Sequence, residues 1–195
     1  MNCNICGWSG PAFKPGPRGE KFCPECQSRS RYRHIAAVFH KTYSTNPNRV
    51  LLVGTCGAEM MIYRKSKCKR ISGVNPKHGQ IMDLADLKFK SGSFDLVHAC
   101  HVLEHVEKLS KAMEEVYRVL QPKGAALFCV PIPRRPKSIM RSKPDKQGHW
   151  WLVGDNWPQV YKEAGFKVVT HYGRDSNPNK HGIKADNRVD LCIKE

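Results

Sequence analysis

Ser93-Phe94-Asp95-Leu96-Val97-His98-Ala99-Cys100-His101-Val102-Leu103-Glu104-His105-Val106, followed by Glu115-Val116-Tyr117-Arg118-Val119-Leu120-Gln121-Pro122-Lys123-Gly124, decides how this chain folds. The apolar run Phe94 to Ala99 has the length of a strand and closes in a His-rich turn. From Leu109 to Leu120 the apolar residues Ala112, Met113, Val116, Val119 and Leu120 recur at helical spacing. Pro122-Lys123-Gly124 then breaks the helix, and a second apolar run, Ala125 to Val130, follows at once. A strand, a crossover helix and a strand in about forty residues form the unit of a parallel sheet.

Working outward, the flanking segments continue the alternation. Arg49 to Val53 reads as the first strand, Ala58 to Lys67 as a helix, Arg70 to Val74 as a strand, and Ile81 with Met82 as a short one. Trp157 to Ala164 reads as a helix closed by Gly165, and Lys167 to Tyr172 pairs with Arg188 to Ile193 as the last two strands. Residues 173–188 form a polar loop to which the pattern assigns no place. Alternation of this kind predicts an α/β, doubly wound, Rossmann-like sheet with helices on both faces over residues 49–195.

Four cysteines ahead of this region have the spacing of metal ligands. Cys3-x-x-Cys6 and Cys23-x-x-Cys26 can each form a knuckle, and two knuckles complete a closed tetrahedral zinc site over residues 1–27. The segment between them holds Gly7, Gly10, Pro11, Pro15, Gly16, Pro17 and Gly19, too many breakers to fold around its own core, so metal binding would supply the folding energy. Four thiolates leave no open coordination position, which makes the expected zinc structural. Cys56, Cys68, Cys100, Cys129 and Cys192 sit mostly in apolar runs and read as small hydrophobes. A linking helix is expected within residues 28–48, its apolar face made by Ile35, Ala36, Val38, Phe39 and Tyr43.

The chain of 195 residues carries a formal net charge of +16. Such a balance favours an anionic partner, a nucleic acid or an anionic substrate, met by Arg29, Arg31 and Arg33 at the linking helix and by Arg134, Arg135, Lys137 and Arg141 in a Pro-rich loop. A further cationic cluster, Arg64, Lys65, Lys67, Lys69 and Arg70, lies near the first helix of the sheet region. No apolar run approaches the ~18 residues of a membrane span, so no membrane partner is expected. The sequence opens on cysteines rather than a signal peptide, which predicts a cytoplasmic protein.

The opening segment closely resembles the region after the fourth strand of class I S-adenosylmethionine-dependent methyltransferases, in their type-11-like small-molecule branch. The ribbon followed by Cys26-Gln27-Ser28-Arg29-Ser30-Arg31-Tyr32-Arg33-His34 resembles a subgroup that carries a comparable basic element before the catalytic fold. The resemblance implies methyl transfer from S-adenosylmethionine. It places the cofactor at Gly54, Gly57 and Glu59 after the first strand, at Asn75 after the second, at Asp83 and Leu84 in an Asp-x-x-Asp-Leu element, and at His101. Asn75 stands where the family usually has a carboxylate, which implies a weaker grip on the ribose. Gly148-His149-Trp150-Trp151 resembles the subgroup's substrate-side segment with His149 in register, so His101 and His149 are the candidate bases. For His101 a packed structural role stands beside the catalytic one, and for Trp150 and Trp151 core packing stands beside stacking on a substrate.

The absence of an Asn-Pro-Pro-aromatic tetrapeptide after the fourth strand tilts the implied acceptor towards a hydroxyl or carboxyl group of an anionic small molecule, glycan or nucleic acid. The alternative is a methyltransferase fold with little or no catalysis that binds nucleic acid or a large assembly through its basic surfaces. His101-x-x-Glu104-His105 also fits the signature of inverted zinc peptidases, but here it follows a strand directly instead of lying within a helix.

Overall fold

The computed structural model describes residues 1–54, 57–71 and 83–195. The ribbon is held by a short antiparallel hairpin of β1 (Lys14–Pro15) and β2 (Lys21–Phe22). Helix α1 (Ser30–Thr42) follows and buries Ile35, Ala36, Val38 and Phe39. After β3 (Arg49–Val53) comes α2 (Gly57–Met60), which tightens into a 3-10 turn over Met61–Tyr63 before β4 (Lys67–Ile71). The central unit is β5 (Phe94–Cys100), a 3-10 turn at Leu103–His105, α3 (Leu109–Val119) and β6 (Leu120–Cys129). A small hairpin of β7 (Ile139–Met140) and β8 (Trp151–Leu152) leads to α4 (Pro158–Glu163), β9 (Lys167–Tyr172), α5 (Pro178–His181) and β10 (Arg188–Ile193).

Six strands form one sheet in the order β4-β3-β5-β6-β10-β9. The first four run parallel, and β10 is antiparallel to both neighbours. Because successive side chains point to opposite faces, β3 sends Leu51 and Val53 to one core layer and Val50 and Leu52 to the other. Helices α3 and α4 cover the first layer, where Met113, Val116, Trp157 and Tyr161 are buried. The second layer packs under α1 and the ribbon, so Cys3, Ile5, Phe13 and Cys23 share a core with Leu96 and Leu127. The doubly wound architecture is thus present, with helices on both faces.

Two elements differ from the sequence pattern for physical reasons. Strand β6 begins at Leu120, and the Pro122–Gly124 break becomes an irregularity in it: pairing to β5 jumps from Phe94↔Leu120 to Leu96↔Ala125. Lys123 takes a φ of 64°, and a Cβ on Gly124 would lie 2.8 Å from the Gln121 carbonyl oxygen. Strand β4 starts at Lys67 instead of Arg70, using residues expected to end the helix. As the sheet edge, it exposes Lys67 and Lys69, charges that discourage pairing with another chain. The expected short strand at Ile81 and Met82 lies outside the described residues.

The polar segment 173–188 fastens the ribbon to the sheet edge. The Asn2 amide donates to the Lys180 carbonyl, and the Ser30 hydroxyl accepts from the Lys184 amide and the Asn187 side chain. Arg33 is the centre of this clamp. Its guanidinium is fully buried, donates to the carbonyls of Ser28, Lys21, His181 and Gly182, and lies 4.1 Å from the Phe13 ring centroid. Each guanidinium nitrogen has an acceptor, which is what a buried cation requires.

Candidate active site

In an open parallel sheet, ligands bind beyond the carboxyl ends of the strands, where the strand order reverses. Gly54 ends β3 there at φ +62°, and a Cβ would lie 2.8 Å from a Val102 methyl, so this turn needs glycine. Gly57 opens α2 with no atom of another described residue within 4 Å of its Cβ direction. Residues 55–56 and Asn75 lie outside the described residues. Asp83 is exposed and its Oδ1 caps its own turn through the Ala85 amide at 2.9 Å, while the Leu84 side chain is buried in the core.

Glu59, expected among the cofactor contacts, is buried at the start of α2. It is 2% exposed, and its Oε1 lies 2.9 Å from His98 Nε2, whose Nδ1 in turn meets the Tyr63 hydroxyl at 3.0 Å. Polar burial beside an apolar face required a partner, and a histidine in the middle of β5 supplies it. This chain ties the start of α2 to the sheet beneath the turn.

His101 leaves β5 with φ 55°, its amide donating to the Cys129 carbonyl at 2.7 Å. Its Nδ1 lies 3.2 Å from Glu104 Oε1. Burial opposes a charged imidazole here, but contact with Cys129 and Glu104 outweighs it and pushes the pKa up to about 9. A histidine that holds its proton more tightly than usual is a weaker base, and the contacts of His101 with Cys129 and Glu104 suit the packed, positioning role that stands beside the catalytic one.

His149 has the geometry of a base. Its ring Nδ1 lies 3.0 Å from Asp145 Oδ2, and Asp145 Oδ1 accepts the backbone amides of Gln147 and His149. These bonds, the His149 amide first, hold the Asp145 carboxyl down at about 2. With Nδ1 committed to donating, Nε2 carries the lone pair. The loop that presents this ring is fixed: the Trp150 amide donates to the Glu104 carbonyl at 2.9 Å and Trp151 Nε1 to the Val106 carbonyl at 2.7 Å. His149 and Trp151 line a cleft of about 200 Å³ with Glu104, Pro131, Ile132, Arg134 and Arg135. That cleft sits just beyond the ends of β5 and β6. A larger hollow of about 510 Å³ lies between the ribbon and the approach to β3, away from the Asp145–His149 pair. The pair was legible as Asp145-x-x-x-His149 across Gly148, a spacing that sequence reading passed over.

The four ribbon thiols converge, with Sγ separations of 3.7 Å for Cys3–Cys26 and 3.6 Å for Cys6–Cys23. A tetrahedral ion with ligand bonds of ~2.3 Å sets sulfur–sulfur edges of roughly 3.8 Å, so the thiols fit zinc. Among the basic residues, Arg33 is withdrawn from any partner-facing surface by the clamp. Arg29 is half-buried over the Phe22 ring, and Arg31 lies 3.4 Å from Glu20. Arg134 and Lys137 are exposed, while Arg141 lies 3.6 Å from Asp145. Residues 134–146 are not simply extended: they pass through β7, whose pairing with β8 folds them into a hairpin. Among the described residues, no helix is long and apolar enough to cross a membrane.

Comparison with known proteins agrees with this fold. Residues 40–128 match the family described as a methyltransferase domain. A highly reducing polyketide synthase from Aspergillus aculeatus is 31% identical over 100 residues, covering 44% of this chain and 4% of its own length. Burkholderia thailandensis 1,6-didemethyltoxoflavin-N1-methyltransferase, solved with 1,6-didemethyltoxoflavin and S-adenosylhomocysteine, has the same fold at a TM-score of 0.59 and 14% identity. That match covers 85% of this chain and 78% of the other. The [4+2]-cyclase SpnF matches 97% of this chain and 88% of its own at a TM-score of 0.59 and 16% identity.

Proposed function

From a chain that carries a methyltransferase domain over residues 40–128 on a Rossmann-like sheet, we propose methyl transfer from S-adenosylmethionine to an oxygen of an anionic acceptor. The observation that carries this reading is the Asp145–His149 pair in a cleft walled by Arg134 and Arg135, beyond the ends of β5 and β6. S-adenosylmethionine supplies an electrophilic sulfonium methyl. The chain places the acceptor and takes its proton: His149 Nε2 accepts the hydroxyl proton while the oxygen lone pair attacks the methyl carbon. The carbon–sulfur bond breaks with its electrons going to sulfur, and Asp145 stabilises the imidazolium that results. Arg134 and Arg135 meet the acceptor's negative charge. Gly54, Gly57 and Asp83 face the cofactor side, with His101 at its junction with the acceptor.

The ribbon thiols hold a structural zinc ion in this reading, since four thiolates close the coordination shell. The fold alone leaves room for other chemistry, because a cyclase shares it. A nucleic-acid-binding role without turnover would rest on Arg64, Lys65, Lys67 and Lys69, which are exposed near the sheet edge. Calorimetric titration with S-adenosylhomocysteine tests the enzyme reading. Saturable binding is expected, together with label transfer from methyl-labelled S-adenosylmethionine to anionic hydroxy compounds. A flat titration beside salt-sensitive retention of RNA would replace it with the binding role.

A further inference from the structure

Glu104 is 1% exposed, yet neither carboxylate oxygen has a hydrogen-bond partner among the described residues. Oε1 approaches His101 Nδ1 at 3.2 Å without the alignment of a hydrogen bond, and Oε2 is left with none. A buried carboxylate with open lone pairs is costly and calls for a specific cause, an ion among them. Glu104 lines the cleft that His149 enters, and one ligand atom each from Glu104, His105 and His149 lies within 4.8 Å of the others. The two imidazoles are 4.5 Å apart between ring centroids.

The outer contacts of both rings have the form metal sites require. His105 Nδ1 donates to the Gly148 carbonyl at 3.1 Å, and His149 Nδ1 to Asp145 Oδ2 at 3.0 Å. Donation at Nδ1 fixes the tautomer and leaves Nε2 of each ring as a lone-pair donor, as ligating histidines are normally held. Gly148 suits this turn through its φ of +85°, a conformation other residues rarely adopt. Glu104 and His105 come from the turn after β5, and His149 from the loop before β8, so the site closes the sequence gap between them.

We propose that Glu104, His105 and His149 bind a divalent transition-metal ion of the zinc class at the wall of the cleft. Two imidazoles and one carboxylate form a three-ligand set with an open coordination position. An oxygen of the ligand in the cleft takes that position, and Arg134 and Arg135, which also line it, favour an anionic one. The identity of that oxygen as the methyl acceptor rests on the reading above; the ion's binding does not. With the ion bound, His149 is a ligand and no longer takes the proton; the metal would lower the acceptor's pKa so that its proton leaves to solvent before the oxygen attacks.

The test is titration of zinc-loaded protein with Co²⁺, read in the visible spectrum, alongside calorimetry with S-adenosylhomocysteine. One further equivalent of Co²⁺ is expected, with d–d bands and no sulfur-to-metal charge transfer. His149→Ala and Glu104→Gln should abolish that equivalent, and Asp145→Asn, which spares all three ligands, should weaken it roughly 10- to 100-fold. Absence of a second equivalent, or its persistence in His149→Ala, overturns the site. So does a charge-transfer band lost in Cys100→Ser, which would move the ion to the neighbouring Cys100, His101 and Cys129 group. Cobalt uptake that depends on His149 without S-adenosylhomocysteine binding supports the site and removes the methyl-transfer reading. The reverse result removes the site alone.

Discussion

Arg33 in the ribbon clamp and Glu104 in the cleft wall are both buried ionisable side chains, at 0% and 1% exposure, and their surroundings differ completely. Carbonyls meet all three guanidinium nitrogens of Arg33, from four residues on three separate segments. Glu104 has a nearby histidine and no aligned hydrogen bond. A satisfied buried charge defines a geometry and is finished with it; an unsatisfied one keeps bonding capacity for something that arrives. The contrast divides the molecule into a structural side and a chemical side.

Substitutions should separate the two sides cleanly. His149→Gln is expected to lower kcat by about 10²- to 10⁴-fold while moving the midpoint of thermal unfolding little; a large loss of stability instead would return His149 to the structural side. Arg33→Met should cost roughly 3–5 kcal/mol of unfolding free energy, because four carbonyls lose their donor and the clamp opens. Denaturant titration measures it, and a loss below ~1 kcal/mol would show that the clamp does not depend on the charge.

A pH experiment sharpens the structural side. Burial, with His171 nearby, pulls His34 down from 6.5 to about 4. Between those values the unfolded chain binds the proton and the folded one does not, so stability rises with pH through that window and is lost as pH falls. The loss is bounded at about 3 kcal/mol by the size of the shift, and His34→Leu should flatten the slope between pH 6.5 and 4. The smallest effect is expected at Arg29, half-buried over the Phe22 ring, where Arg29→Ala should change stability by less than about 0.5–1 kcal/mol.

The fold was legible because apolar patterning is local: β3, β9 and β10 have the bounds that the pattern predicts, and α3 ends one residue early. Strand β6 was misjudged because a Pro-Lys-Gly break ends a helix and also fits an irregular strand, and tertiary pairing with β5 decides between them. The ribbon cysteines were visible from their spacing. Arg33 was read as surface charge because its four acceptors are backbone carbonyls, which no sequence motif announces. Glu59 was placed by analogy with a turn, whereas its partner His98 lies 39 residues away on another element. His101 was read as a candidate base from position; its contacts with Cys129 and Glu104 depend on neighbours that β5 and β6 bring together, which no local pattern announces.

The Arg33 clamp also sets an order of events during synthesis. The guanidinium bonds to Gly182 across 149 residues of chain, so the amino-terminal ribbon leaves the ribosome long before its own anchor exists. At ~5–20 residues per second, that interval is roughly 7–30 seconds. Through that time Arg33 stays hydrated and the apolar side of α1 lacks its sheet, so this segment docks well after it is made. Shortening the chain anywhere before residue 183 would leave it waiting indefinitely, exposed to proteases and to other nascent chains.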